Sequence, residues 1–535
     1  MAGSLEFGVV MGRARPQVHT PGADADEDAA FQILVLGDFS GRSSAEAESW
    51  FARPAQSVDI DNFDAVLAQM TAGLRLTLPG AQGVVVEPVL RSIEDFEPDA
   101  LVAQLAMFKS LRGWRTRLGD SASFAAAAAE LSATGLAPAA SIPAQAVAED
   151  DADTLARLLG RPPQTAASPQ PPASHARPAA VSTVLAVSAV SAVSSVSAVS
   201  AVSASLDSLL RSVLAPHIQP DMSHLQRPMV EAVDRAMGDA MRLLLRTPSW
   251  KALESAWRSV DHFVRTVDST AVKLMLLDVR ADELQADMAS AAADLSASGL
   301  ASAIAQRVQR EGPAARPALV VALYAFGPSA AELALLGALA AVCVQHGAVL
   351  LASAAQALLA PQAESPIASD PVALANAAED QARWQALRAT WMAGHIGLLY
   401  PRVLGRLPYG PKTNPVSAFD FDELADGFSH ERLAWRSAAL DAAALLAAAR
   451  AEAGWRFDPN AHRMLGEYPA FIDRSGSSNR PQAGAEFYAT ERQSAAIAAQ
   501  GLIAVLSDAR SPQLRLSAWR SIAADSAPLR GRWQP

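Results

Sequence analysis

Valine stands at every third position from Val181 to Val202, with serine and alanine filling most of the places between. A period of three matches neither the turn of a helix (about 3.6 residues) nor the alternation of a strand, so no continuous apolar face forms. The preceding stretch, residues 161–180, is dense in proline and alanine. Residues 160–205 therefore read as a flexible or partly extended tether. The tether divides the 535 residues into a leader (1–30), an α/β module (31–120), an Ala/Pro-rich and low-complexity linker (121–205), a second α/β module (206–520) and a tail (521–535).

Half of the residues are apolar, enough for sizeable cores. The net charge of −11 argues against nucleic acid as a partner, because phosphate binding wants a basic face. Of the 44 basic residues only Lys109, Lys251, Lys273 and Lys412 are lysine, which we read as codon bias. The single cysteine, Cys343, lies in an apolar run and reads as a small buried hydrophobe. The first twenty residues lack the apolar core of a secretory signal. Between Glu332 and Glu364 no charged residue occurs, but Gln345-His346-Gly347 interrupts the run, which reads as a buried helix and strand with no membrane insertion.

In the first module, Phe31–Leu36 is an aliphatic strand that closes on the turn Gly37-Asp38-Phe39-Ser40-Gly41-Arg42. Helices are expected over Asp59–Met70 and Asp99–Leu118, and strands over Leu74–Leu78 and Val84–Val89. The second module begins with helices over Leu206–Leu214, Pro228–Arg246 and Trp250–Val267, the last capped by Ser249. Strands (Val272–Val279, Leu319–Phe326, Val349–Ala352) then alternate with helices (Asp282–Leu295, Ser329–Gln345, Pro371–Gly394). Glu431–Ala449 reads as helix, 455–480 as loop, and 485–506 as a helix and a strand. This alternation predicts an α/β fold: two modules with mixed or parallel sheets covered by helices, joined by the linker.

One stretch resists this pattern. Tyr400–Phe421 holds four prolines and two glycines in twenty-two residues, a density that neither a long helix nor a central strand tolerates. Tyr400, Val403, Leu404, Leu407, Tyr409, Phe419 and Phe421 nevertheless supply apolar side chains to pack it down. The expectation is an ordered, irregular segment that builds an interface, with Arg402 and Arg406 paired to carboxylates.

No catalytic constellation emerges. The Gly37–Arg42 turn lacks the lysine of a phosphate-binding loop. The nine histidines form no metal-ligand spacing, and Ser429 beside His430 does not meet the nucleophile-elbow pattern. Asp420, Asp422, Glu423 and Asp426 read as a solvated helix start. No catalytic residue, metal or cofactor is expected.

The run Arg402 to Gly410, containing Arg406, Leu407, Pro408 and Tyr409, followed by Phe419-Asp420-Phe421, resembles the large subunit of the type VI secretion contractile sheath, the TssC family. Thr247 to Val264, with Leu253, Glu254, Trp257 and Arg258, is similar to a helix of that family. Ala485 to Leu506 is similar to its Thr-Glu-Arg helix, here Thr490, Glu491 and Arg492. Ile33 to Arg42 and Asp61-Asn62-Phe63-Asp64 resemble the small subunit, TssB. The chain thus resembles both subunits fused, over roughly residues 31–120 and 206–520.

The resemblance implies a non-enzymatic structural component acting in the bacterial cytoplasm through protein–protein interfaces. Its implied partners are other type VI secretion subunits (sheath, baseplate or inner tube), further copies of itself as a homo-oligomer, and a sheath-recycling AAA+ ATPase. About thirty residues follow Leu506, fewer than family large subunits carry, which points to an alternative: a sheath-derived adaptor or cap without a full sheath. A second alternative is an α/β enzyme with a site not visible in sequence.

Overall fold

The computed structural model describes residues 30–42, 50, 53–79, 84–133, 223–359, 371–473, 480–508, 511–525 and 527–533. The expected Leu206–Leu214 helix, the leader and nearly all of the linker lie outside them. Two compact units divide the chain, one formed by Met1–Leu76, Val85–Leu105 and Leu244–Pro535, the other by Thr77–Val84 and Ala106–Leu243.

The larger unit is built on one nine-stranded sheet. In chain order its strands are β1 (Phe31–Gly37), β2 (Gln56–Val58), β3 (Val272–Asp278), β4 (Leu319–Phe326), β5 (Val349–Ala354), β6 (Ile396–Tyr400), β7 (Met464–Glu467), β8 (Ile503–Asp508) and β9 (Ser511–Leu516). Across the sheet they run β7-β9-β8-β6-β5-β4-β1-β3-β2. The six central strands are parallel, and antiparallel strands close both margins. The continuous aliphatic runs of β1 and β3 to β6 suit strands covered on both faces.

The mixed sheet of the α/β fold draws strands from both sequence modules. β1, from the first sequence module, lies between β3 and β4 of the second. It pairs with β3 from Phe31↔Val272 to Gly37↔Asp278 and with β4 from Ile33↔Leu319 to Leu36↔Ala322. Strands consecutive in the second module are thereby separated by one from the first. Such non-local pairing leaves no local sequence signal.

On one face, Leu34, Leu36, Met275, Leu277, Val320 and Leu350 join Leu284, Ile304, Leu336, Leu339, Cys343 and Trp384 in the main core. Burial raises the Cys343 thiol well above its ordinary pKa, consistent with an inert hydrophobe. Helix Ala439–Ala453 packs against β1, β4 and β5, and Phe31 stacks on Trp455 with ring centroids 5.6 Å apart. Among the described residues no helix is long and apolar enough to cross a membrane.

Several boundaries differ from expectation. The expected Asp99–Leu118 helix breaks at Leu105 into Pro98–Gln104 and Ala106–Gly119. The Pro248–Thr266 helix begins at Thr247, not Ser249, because Pro248 has a fixed φ and needs no donor in a first turn. Glu431–Ala449 is not one helix: Trp435–Arg436 pairs antiparallel with Val403–Leu404, and the helix starts at Ala439. The expected loop 455–480 contains β7 and a strand at Phe471–Asp473. Helix Gly299–Glu311 lies where no element was expected, capped by Ser298.

The smaller unit is helical. Ala106–Gly119 and Phe124–Ala133 are bridged by Arg117 and Glu130 at 2.5 Å. Ser223–Arg246 enters this unit over most of its length, with Met229, Val233, Met237 and Met241 buried. Arg115 pairs with Asp234 at 2.6 Å, and Gln226 Nε2 donates to the carbonyls of Leu118 and Gly119 at 3.0 Å.

Candidate functional site

On the Pro248–Thr266 helix, Trp250, Glu254 and Arg258 recur four residues apart and Trp257 stands three beyond Glu254, so they share one side of the helix. The proline-rich segment settles against that face. Its Arg406 is 6% exposed and its guanidinium is shared between two buried carboxylates. Nε donates to Glu254 Oε1 at 2.7 Å, while Nη1 and Nη2 donate to Glu423 at 2.7 and 3.2 Å. The guanidinium lies over the Tyr409 ring, 4.1 Å from its centroid. Arg258 Nε also donates to Glu254 Oε1, at 2.8 Å. The Tyr409 backbone N–H donates to Glu423 at 2.9 Å, and the Glu423 N–H returns to the Tyr409 carbonyl at 2.8 Å.

Both signs of charge are thus buried together, and each fixes the other's state. Burial pushes the Glu254 carboxyl up, but Arg406 and Arg258 outweigh it and hold the group below the ordinary glutamate range. Burial opposes the charge on Arg406, yet Glu254 and Glu423 hold its pKa well above the ordinary value. The planar fork of arginine fits the two carboxylates from two directions, which a lysine cannot copy. Glu254 Oε2 is buried with no hydrogen-bond partner among the described residues.

At the near end of the segment, Arg402 is held by Glu486. Its backbone N–H and Nη2 donate to the carboxylate at 2.9 and 2.6 Å. At the far end, Asp99 accepts from the backbone N–H groups of Ser417 and Ala418 at 3.0 and 2.6 Å. Of the four acidic residues expected as a solvated helix start, Asp420 and Asp422 are exposed, but Glu423 and Asp426 are pairing partners. Glu423 is buried under Arg406, and Asp426 meets Arg246 at 2.7 Å and Arg432 at 2.9 Å. Residues 422–429 are turn and irregular backbone, with a short 3-10 helix only at His430–Arg432, and place these two carboxylates against arginines.

The Gly37–Arg42 turn meets the same helix at Trp257. Trp257 Nε1 donates to the Phe39 carbonyl at 2.9 Å, and the two rings meet edge-on at 5.5 Å. Phe63 approaches the same indole at 5.7 Å. The backbone N–H groups of Phe39 and Ser40 donate to Asp278 Oδ1 at 2.9 and 3.2 Å, and that of Gly41 to Asp38 at 2.8 Å. Arg42 pairs with Asp278. Gly41 has a φ of +62°, which a residue with a Cβ rarely adopts.

Of the residues singled out in the sequence, Gly37–Arg42, Trp257, Arg258, Arg406 and Tyr409 come together around this one helix, while Gly410 lies beside Thr413 and Asp422. Arg402 is half exposed at the margin, and Leu407 is half-buried. Glu491 and Arg492 do not join: both are exposed on the first turn of helix Glu491–Ala499, whose cap is Thr490 with Gln493. Sequence reasoning missed Glu423, Glu486 and Asp278. None had a local signal, whereas Glu254 and Arg258, four apart on a helix, did. No group of His, Cys, Asp or Glu suited to a metal occurs among the described residues. The arrangement is a set of buried ion pairs that ties the proline-rich segment to the helix.

Residues 227–523 match the VipB family, described as EvpB/VC_A0108, tail sheath N-terminal domain. Residues 15–133 match a second family, described as Type VI secretion system, VipA, VC_A0107 or Hcp2. Among curated proteins, the type VI secretion system sheath protein TssC1 of Pseudomonas aeruginosa is 26% identical over 215 residues, which cover 39% of this chain and 43% of the relative. The chain thus matches less than half the length of that relative.

Proposed function

Because this chain belongs to the VipB tail-sheath family, we propose that it is a fused sheath-like subunit, a non-enzymatic structural component of a type VI secretion apparatus that acts through protein–protein interfaces. One observation carries the reading. The strand β1, from the region matching the small-subunit family, is built into the sheet of the region matching the large-subunit family. A contractile assembly stores its energy in interfaces, and the buried Arg406 network is the kind of rigid core such interfaces need. The partners of this reading are other type VI secretion subunits, further copies of the chain and a sheath-recycling AAA+ ATPase, and its place is the cytoplasm. The segments 31–120 and 206–520 are read as the small- and large-subunit halves.

Electron microscopy of the purified protein, alone and co-produced with the products of neighbouring genes, tests this. Cylinders or their fragments are the expected outcome. Discrete particles bound to the end of a sheath would replace it with the adaptor reading. Turnover of a small-molecule substrate at the carboxyl ends of the strands would replace it with an enzyme.

A further inference from the structure

The position of β1 has a consequence for partner choice. β3 and β4 follow one another in the second half of the chain, yet they stand one strand apart, and β1 fills the gap. It pairs with β3 over seven residues and with β4 over four, parallel to both. Phe31, Ile33, Val35 and Leu36 are completely buried and Leu34 is 5% exposed. Without β1, two rows of ladder groups on β3 and β4 would face an empty slot, and both core faces would open. The donor is also fastened beyond the strand. Trp257 holds the Phe39 carbonyl, Asp278 takes two N–H groups of the following turn, and Phe96 packs on Trp250 at 5.1 Å.

We propose that the first half of the chain is an in-cis strand donor: each chain fills its own β3–β4 slot with its own β1, and so refuses a separately made small sheath subunit as a partner. The identity of the excluded competitor rests on the sheath reading above; the filling of the slot in cis does not. The physical basis is covalent continuity. A tethered donor competes at an effective concentration up to the order of a millimolar, whereas a free subunit competes at its own, far lower concentration. An interloper must also displace a strand paired on both sides and anchored by its turn, so exchange requires opening the core. The chain would therefore enter an assembly only as a complete unit.

A cross-link reads the connectivity directly. Gln32 and Lys273 are register partners on β1 and β3. Neighbouring strands lie about 4.8 Å apart, inside the range a disulfide spans. The only native cysteine, Cys343, is buried. In the full chain carrying Gln32→Cys and Lys273→Cys, mild oxidation should give an intrachain disulfide that migrates at monomer mass on a non-reducing denaturing gel. Dimer-mass bands that need both cysteines would mean exchanged strands and would overturn the proposal.

A second measurement uses the unmodified chain, co-produced with a separately tagged fragment of residues 15–133. The expected result is no full chain retained on the fragment's tag. The Val35→Asp chain, whose own β1 cannot enter the core, should instead be retained and become soluble only with the fragment. Equal retention of the unmodified chain, or no retention of the Val35→Asp chain, sinks the idea. Neither readout depends on whether filaments form, so failure here is distinguishable from failure of the sheath reading.

Discussion

Arg406 and Glu254 stand 152 residues apart in sequence and meet at 2.7 Å in the interior, with both side chains almost wholly removed from solvent. The pair is the centre of a network whose other members are Glu423, Arg258 and Tyr409. Removing one partner of a buried ion pair leaves the other's charge desolvated and uncompensated. Arg406→Leu should therefore destabilise the fold by about 3–5 kcal/mol. Arg402, whose side chain is 45% exposed, also has a carboxylate partner. There Arg402→Ala should cost less, about 1–2 kcal/mol, because the guanidinium is partly screened and Glu486, itself 10% exposed, keeps the Arg402 backbone N–H. Urea denaturation of the two variants checks the contrast. Equal midpoints would show that the buried network contributes no more than the surface pair.

The turn at Gly37–Arg42 is expected to bind no nucleotide. A phosphate loop works by aiming free backbone N–H groups at the ligand. Here the N–H groups of Phe39 and Ser40 are donated to Asp278, and that of Gly41 to Asp38. Two carboxylates already occupy the place an anion would take. Burial first, and then the Asp278 charge, raise the Asp38 pKa. Calorimetry with ATP or GTP and Mg²⁺ should give no heat of binding. Micromolar affinity lost in Asp38→Ala would show that the turn opens to accept phosphate.

Much of the architecture was legible. The aliphatic runs of β1, β3, β4 and β5 predict a parallel sheet, and the spacing of Trp250, Leu253, Trp257 and Val260 predicts the helix that organises the site. What stayed hidden was non-local. Nothing within Phe31–Gly37 says that it will stand between Val272–Asp278 and Leu319–Phe326, since any buried parallel strand carries the same residues. Glu423 reads as one acidic residue among four because its partner's position is set by tertiary folding. Leu407 drew attention as an apolar residue in the motif, yet it is only half-buried. Leu407→Asp should accordingly cost about 1–2 kcal/mol, within the ordinary range for a substitution, and not the larger penalty for burying an unpaired charge. A melting curve measures it against Arg406→Leu.

Acid should weaken the fold in two stages. Burial holds the imidazoles of His262, His346 and His395 below the ordinary histidine value. In the unfolded chain they take up protons near pH 6.5, whereas in the folded chain they resist. The unfolded state then binds more protons, so stability is full above about pH 6.5 and declines as pH falls through it. Asp426 acts lower. Hydrogen bonds from Arg246, aided by the charges of Arg246 and Arg432, hold its carboxyl at about 2. Its stabilisation is complete above the unfolded value, about 3.9, and is lost as pH falls toward 2. That second loss should be small, because the group is 45% exposed. Urea midpoints measured from pH 8 to pH 3 should fall first below 6.5 and again below 4; a flat profile between pH 8 and 5 contradicts the histidine assignment.

Cutting the chain between its halves should not separate them. A protease site inserted between residues 134 and 222 leaves β1 on one fragment and β3 and β4 on the other. To part, the fragments must expose Phe31, Ile33, Leu34, Val35 and Leu36, each worth about 1.5–3 kcal/mol when fully buried. They must also break the ladders on both sides of β1 and release Asp278 and Trp257 from the turn. The lost covalent link is the lesser contribution, about 4 kcal/mol for a millimolar effective concentration against fragments at about a micromolar. The cleaved halves should therefore co-elute on size exclusion at the position of the intact chain. Val35→Asp places a carboxylate in the core contact of β1, and in that background the same cleavage should release the first fragment. Two separately eluting, well-folded fragments from the unmodified sequence would mean that the shared sheet does not hold the halves together.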